Sequence, residues 1–114
     1  IMTLRRDAQF GFALTLGSGG VLVELVGDAK TLLLPCTQHD IEQALRELKV
    51  GKLLTGFRGR EAVDLPVISA KILQFCEAVV RDEGSFSEVE VNPLFVYPDH
   101  VVAVDGLLQN AISQ

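Results

Sequence analysis

The chain predicts an α+β fold, a mainly antiparallel sheet with two helices packed on one face. Three observations carry that expectation. The first third is a series of short β-prone segments punctuated by Gly and Asp. The middle switches to apolar residues at helical spacing, and the last third returns to alternating segments about a tight turn. With 114 residues, 48% of them hydrophobic, the chain has room for one domain over 1–114 and one core.

The elements follow in order. Ile1 to Arg6 is a candidate strand, and Asp7-Ala8-Gln9-Phe10-Gly11 supplies turn chemistry before an antiparallel return over Phe12 to Leu16. Gly17-Ser18-Gly19-Gly20 forces a loop, Val21 to Val26 is β-prone, and Gly27-Asp28 signals a turn. Lys30 to Leu34 is a further strand, stopped by Pro35. Thr37 can cap a helix, with Asp40 in the position of a capping-box acid. Ile41, Ala44, Leu45 and Leu48 then form one apolar stripe, and Gly51 is expected to end that helix. A Gly-rich connector, Leu54 to Arg60, leads to a second helix that opens at Asp64 or Leu65. Pro66 falls in its first turn, where a missing N–H costs nothing. Its buried face is Ile68, Ile72, Phe75, Cys76 and Val79, with Lys71, Gln74 and Arg81 outward. Two long strands, Phe86 to Tyr97 and His100 to Leu107, close the chain around Pro98-Asp99.

Composition narrows the function. A net charge of −5 argues against nucleic acid as partner, because a phosphate-binding face needs clustered Lys and Arg. No run approaches the ~20 apolar residues of a membrane span, and the N-terminal residues lack the features of a secretory signal. A cytoplasmic protein with no membrane partner is expected, beginning mid-strand as if cut from a longer one. Cys36 and Cys76 have no CxxC spacing and read as reduced, buried thiols. His39 and His100 read as surface residues without a nucleophile beside them, so no triad is assigned.

One constellation can carry chemistry. Along Glu88-Val89-Glu90-Val91-Asn92-Pro93, the valines face one way and Glu88, Glu90 and Asn92 the other. Folding the hairpin about Pro98-Asp99 sets Tyr97 opposite His100 and, counting back, Asn92 opposite Asp105, on one face with Glu90. Hard oxygen ligands without His or Cys suit Mg²⁺. The same alternation is also that of an ordinary solvated sheet face. The Gly19 and Gly20 backbone N–H groups could meet a phosphate, or the loop could be a plain turn. Arg58, between glycines, could present its guanidinium to phosphate or to a structural acid.

Five segments together resemble the C-terminal ATP-grasp subdomain of NDP-forming acyl-CoA synthetases, the group of ADP-forming acetyl-CoA synthetases and, more remotely, the succinyl-CoA synthetase β chain. Arg6-Asp7-Ala8-Gln9-Phe10-Gly11 resembles RDPxFGP, with Ala8 and Phe12 in place of prolines. Gly17 to Leu25 resembles GxGGxxVEL, and Leu54 to Gly59 resembles LTGYRG. Glu88 to Leu94 resembles ELDINPL, and Val102 to Asp105 resembles the AVD that follows. Glu90 stands where the family usually has Asp.

The resemblance implies that ATP or ADP lies between two ATP-grasp subdomains, with Mg²⁺ held by Asn92 and Asp105 and with Glu90 adding charge. It implies a ligase reaction coupling acyl-CoA thioester cleavage or formation to phosphoryl transfer with ADP/ATP, through an acyl phosphate and a phosphohistidine. Neither histidine here matches the phosphohistidine motifs. The chain is therefore expected to be an inactive piece by itself, partnered by the first ATP-grasp subdomain and the CoA-binding domains. A severed half-domain would also tend to form a homo-oligomer through exposed apolar surface. The alternative is a non-catalytic regulatory or interaction module, such as the degenerate synthetase-like region of a protein acetyltransferase.

Overall fold

Alternation along the first strand sets the architecture. In β1 (Met2–Asp7), Met2 and Leu4 are buried while Thr3 and Arg5 stand on the other side. β2 (Gly11–Gly17) repeats the pattern, burying Phe12, Leu14 and Leu16. One face of the sheet is thus apolar and must be covered. The computed structural model describes residues 1–7, 11–18, 27–49, 51–54, 56, 61–81 and 86–110. The expected strand over Val21 to Val26 lies outside these residues.

β3 (Ala29–Leu33), β4 (Phe86–Val91) and β7 (Gly106–Asn110) complete a five-stranded sheet in the order β3-β2-β1-β4-β7, with every pairing antiparallel. β5 (Leu94–Val96) and β6 (Val101–Ala103) form a separate two-stranded ribbon. The α+β expectation therefore holds, with one correction. The two long closing strands are each broken, at Asn92-Pro93 and at Val104-Asp105, so that one hairpin serves two sheets. Pro93 has no N–H to give a continuing ladder, and the main-sheet pairing stops there. The register survives the break. Leu94 faces Ala103, Tyr97 N–H donates to His100 O at 2.8 Å, and Val91 faces Gly106, all in step with the expected pairing. A bulge occurs between Phe86 and Glu88 at the far end of β4.

The helices cover the apolar face. α1 (Gln38–Glu47) starts with a capping box. Asp40 N–H donates to Thr37 Oγ1 at 3.1 Å, and Thr37 N–H donates to Asp40 Oδ2 at 2.9 Å. That pair of bonds holds the Asp40 carboxyl below the usual carboxylate range. Ile41, Ala44, Leu45 and Leu48 are buried, as their spacing predicts. Gly51 does not end this helix. The helix stops at Glu47, with Leu48 extended, and Gly51 opens a single further turn, α2 (Gly51–Leu54). A Cβ at Gly51 would lie 2.6 Å from Leu45 O, so glycine is required there by close backbone approach. Asp28, 5% exposed, accepts from Lys49 N–H at 2.6 Å and ties the turn before β3 to the end of α1.

α3 (Leu65–Arg81) begins where Asp64 O accepts from Ile68 N–H at 3.0 Å and Asp64 Oδ1 accepts from Val67 N–H at 3.2 Å. Ile68, Ile72, Cys76 and Val79 are buried against α1 and the sheet, and Phe75 is half-buried. Lys71, Gln74 and Arg81 are exposed. Leu4, Leu14, Ile41 and Ile68 are fully enclosed where sheet and helices meet.

Candidate functional site

With the helices on one side, the other face of the sheet stays open, and pairing across the strands sets its composition. Thr31, Thr15, Thr3, Glu90 and Leu107 form one transverse row. The hydroxyls of Thr15 and Thr31 are 2.9 Å apart and hydrogen-bonded. Glu90 is thus placed by its neighbours Thr3 and Leu107, with Val89 and Val91 buried on the helix side. The threonines were not singled out from the sequence. Their signal was there, since each occupies a polar position within an alternating strand.

Asn92 and Asp105 flank the point where the hairpin leaves the sheet. Asn92 N–H donates to Asp105 O at 3.1 Å, and Val104 N–H donates to Pro93 O at 3.1 Å. These bonds set the two residues directly across from each other, one step beyond Val91 and Gly106. Asn92 is half-buried and Asp105 exposed, so both are open to a ligand. Gly106 follows Asp105 with only Glu90 O near its Cβ position, at 3.8 Å. The backbones of Asn92 and Asp105 are therefore opposed at one end of the β4–β7 pairing, with Glu90 two residues back along β4.

That donor set fits Mg²⁺, a hard cation that takes one or two carboxylates and leaves other positions to phosphates and water. Among the described residues no group of three or more His, Cys, Asp or Glu side chains is gathered as a self-sufficient metal cage. Gly19, Gly20 and Arg58, expected to meet the nucleotide, lie outside the described residues. His39 and His100 are exposed. His100 Nδ1 lies 2.8 Å from Asp99 Oδ1 and its ring stacks on Tyr97 at 4.6 Å, so it is engaged at the hairpin tip.

Known proteins resemble this chain in sequence and in fold. Residues 1–109 match the family described as ATP-grasp domain. The chain is 33% identical over 106 residues to the β subunit of an ADP-forming acetate–CoA ligase I from Pyrococcus furiosus, covering 93% of this chain and 45% of that one. It is 38% identical over 106 residues to the ADP-forming acetate–CoA ligase II of Archaeoglobus fulgidus, covering 93% of this chain and 15% of the relative. The chain thus spans less than half the length of these relatives. Its fold superimposes with a TM-score of 0.85, at 37% identity, on the dinucleotide-forming acetyl-coenzyme A synthetase 1 of Ca. Korarchaeum cryptofilum, solved with coenzyme A and Mg-AMPPCP. That match covers 96% of this chain and 51% of the other. Fold, hairpin register and sequence agreement over nearly the whole length lead to one conclusion: this chain belongs to the ATP-grasp domain family.

Proposed function

We propose that the chain is the ATP/Mg-binding half of an NDP-forming acyl-CoA synthetase. The observation that supports this most is the backbone pairing of Asn92 with Asp105, from which an amide oxygen and a carboxylate would reach one ion at the rim of the open face. Asn92 and Asp105 would hold the divalent ion, and Glu90, one step along the same face, would add negative charge to keep it there. A divalent ion held there would supply charge neutralisation for the nucleotide's phosphates. The chain's own part is positional. The β4–β7 ladder keeps both residues in register, while buried Val89 and Val91 anchor β4 against the helices. Gly19, Gly20 and Arg58 would meet the nucleotide's phosphates.

The relatives are longer, and the synthetase reaction belongs to the whole assembly. In this reading the first ATP-grasp subdomain and the CoA-binding domains complete the enzyme, the protein is cytoplasmic, and residues 1–114 act as one domain without turnover of their own. Exposed Phe95, Tyr97 and Val102 on the ribbon's outer side support a surface that other domains, or a second copy, would cover.

The test is isothermal titration of Mg-ADP into a protein that includes the preceding subdomain. Asn92→Ala and Asp105→Ala should each weaken Mg-ADP binding by about tenfold or more, roughly 1.4 kcal/mol. Unchanged affinity and turnover in both variants would refute the assignment.

A further inference from the structure

β7 ends the five-stranded sheet, and the direction of its backbone groups fixes what its outer edge offers. Asn92 N–H donates to Asp105 O, so at Asp105 the backbone points toward β4. Along an antiparallel strand that direction alternates from residue to residue. Leu107 and Gln109 therefore turn their N–H and C=O toward β4, while Gly106, Leu108 and Asn110 turn theirs outward. Gln109 O accepts from Ser87 Oγ at 3.4 Å, on the β4 side, as this alternation requires. Among the described residues no strand lies beyond β7. Its outward N–H and C=O groups are thus a template for one more strand.

The side chains leave that edge unguarded. Sheet edges are ordinarily blunted by Lys, by other charges or by Pro. β7 reads Gly-Leu-Leu-Gln-Asn, with no charge and no proline, in a chain of net charge −5. β3, at the other end of the sheet, carries Lys30, whose Nζ lies 3.4 Å from Glu47 Oε1. Leu108 extends the helix-side row of Leu14, Leu4 and Val89. Those three are at most 6% exposed, whereas Leu108 is 57% exposed, as is Leu107 on the open side. The apolar row runs out at the edge with a leucine left largely in water.

We infer that β7 pairs with β7 of a second copy of this chain, antiparallel about a two-fold axis at Leu108. An isologous contact needs a surface complementary to itself. The outward groups of β7 meet that condition, since Gly106 and Asn110 lie symmetrically about Leu108. Leu108 would exchange N–H···O bonds with its counterpart, and Gly106 would do so with Asn110 at each end. On the helix side the two Leu108 side chains would meet and continue the buried row. On the open side each Leu107 would face Gln109 of the other copy. An uncharged strand also lets two acidic chains approach where neither presents a charge along the seam. Contact through one five-residue strand buries little surface, so the association is weak and reversible. The outer edge of β7 holds neither Asn92 nor Asp105, so this pairing and the metal site are tested separately.

The experiment is sedimentation velocity of the full protein containing this chain, from micromolar to near-millimolar concentration. The mass should double reversibly as concentration rises. Leu108→Pro removes an outward N–H and no bond to β4, and should hold the protein at the unpaired mass throughout. Leu108→Lys and Leu108→Glu each set like charges against each other across the axis and should weaken association roughly tenfold. An equimolar mixture of those two variants should associate more tightly than either alone, because opposite charges then meet. Thermal midpoints of the dilute variants, close to that of the wild type, establish that each folds. A mass that never doubles would overturn the inference and leave the edge to a strand of another kind. So would doubling that persists in folded Leu108→Pro, or a Lys–Glu mixture that associates no better than Leu108→Lys alone. Should Leu108→Pro fail to fold, the charged variants decide.

Discussion

The two faces of the five-stranded sheet are built from the same strands by the same alternation, yet they obey different constraints. On the helix side, Leu14, Leu4 and Val89 lie in one transverse row and are at most 6% exposed. On the open side, the neighbouring row is Thr15, Thr3 and Glu90, all half-buried. A residue in the first row is chosen for volume, because close-packed interiors register the loss of single methylene groups. A residue in the second row has few packing partners and is free to be chosen for chemistry. Arg6 breaks this division, as a charge in phase with the apolar row that lies over the Phe12 ring.

The contrast can be broken by substitution. Leu4→Ala should cost about 2–5 kcal/mol of stability, since Leu4 is fully enclosed and its neighbours cannot collapse freely into the space. Urea unfolding would measure it. Thr37→Ala removes half of the capping box at the start of α1 and should cost about 1 kcal/mol by the same measurement. Thr15→Ala, on the open face, should cost no more than about 0.5 kcal/mol, the scale of an exposed cross-strand pair. A loss at Thr15 as large as that at Leu4 would mean that the open face is packed after all.

Alkaline pH sharpens the contrast from the helix side. Burial raises the Cys76 thiol from 9.0 to about 12. A raised folded value means the unfolded chain releases the proton first. The stabilisation from keeping Cys76 neutral is therefore fully present below pH 9.0 and is lost progressively between pH 9 and 12. The urea midpoint of the wild-type protein should fall more steeply across that interval than that of Cys76→Ala. Equal slopes would show that Cys76 is not desolvated.

Much of this was legible before the structure. The capping box of Thr37 and Asp40, the apolar stripes of both helices and the register of the closing hairpin are local patterns, and local patterns are what a sequence displays. The opposition of Asn92 and Asp105 follows from the hairpin turn alone, so the pairing at the candidate site could be counted from Pro98-Asp99. What escaped was tertiary. Gly51 looks like a helix stop, but it is glycine because Leu45 O crosses close to it. The break at Pro93 keeps the register and changes only which sheet each half joins. Arg6 sits inside a recognisable motif, and its isolation emerges only when α3 closes over β1 without supplying an acid to Nε or Nη2.

The account stands or falls on where a divalent ion binds. Crystals of the full protein containing this chain, grown with ADP and Mn²⁺ in place of Mg²⁺, would reveal the metal by its anomalous scattering. The account predicts a peak within bonding distance of the side-chain oxygens of both Asn92 and Asp105, on the face opposite Cys76. A metal peak on nucleotide phosphates with neither side chain in contact would contradict it.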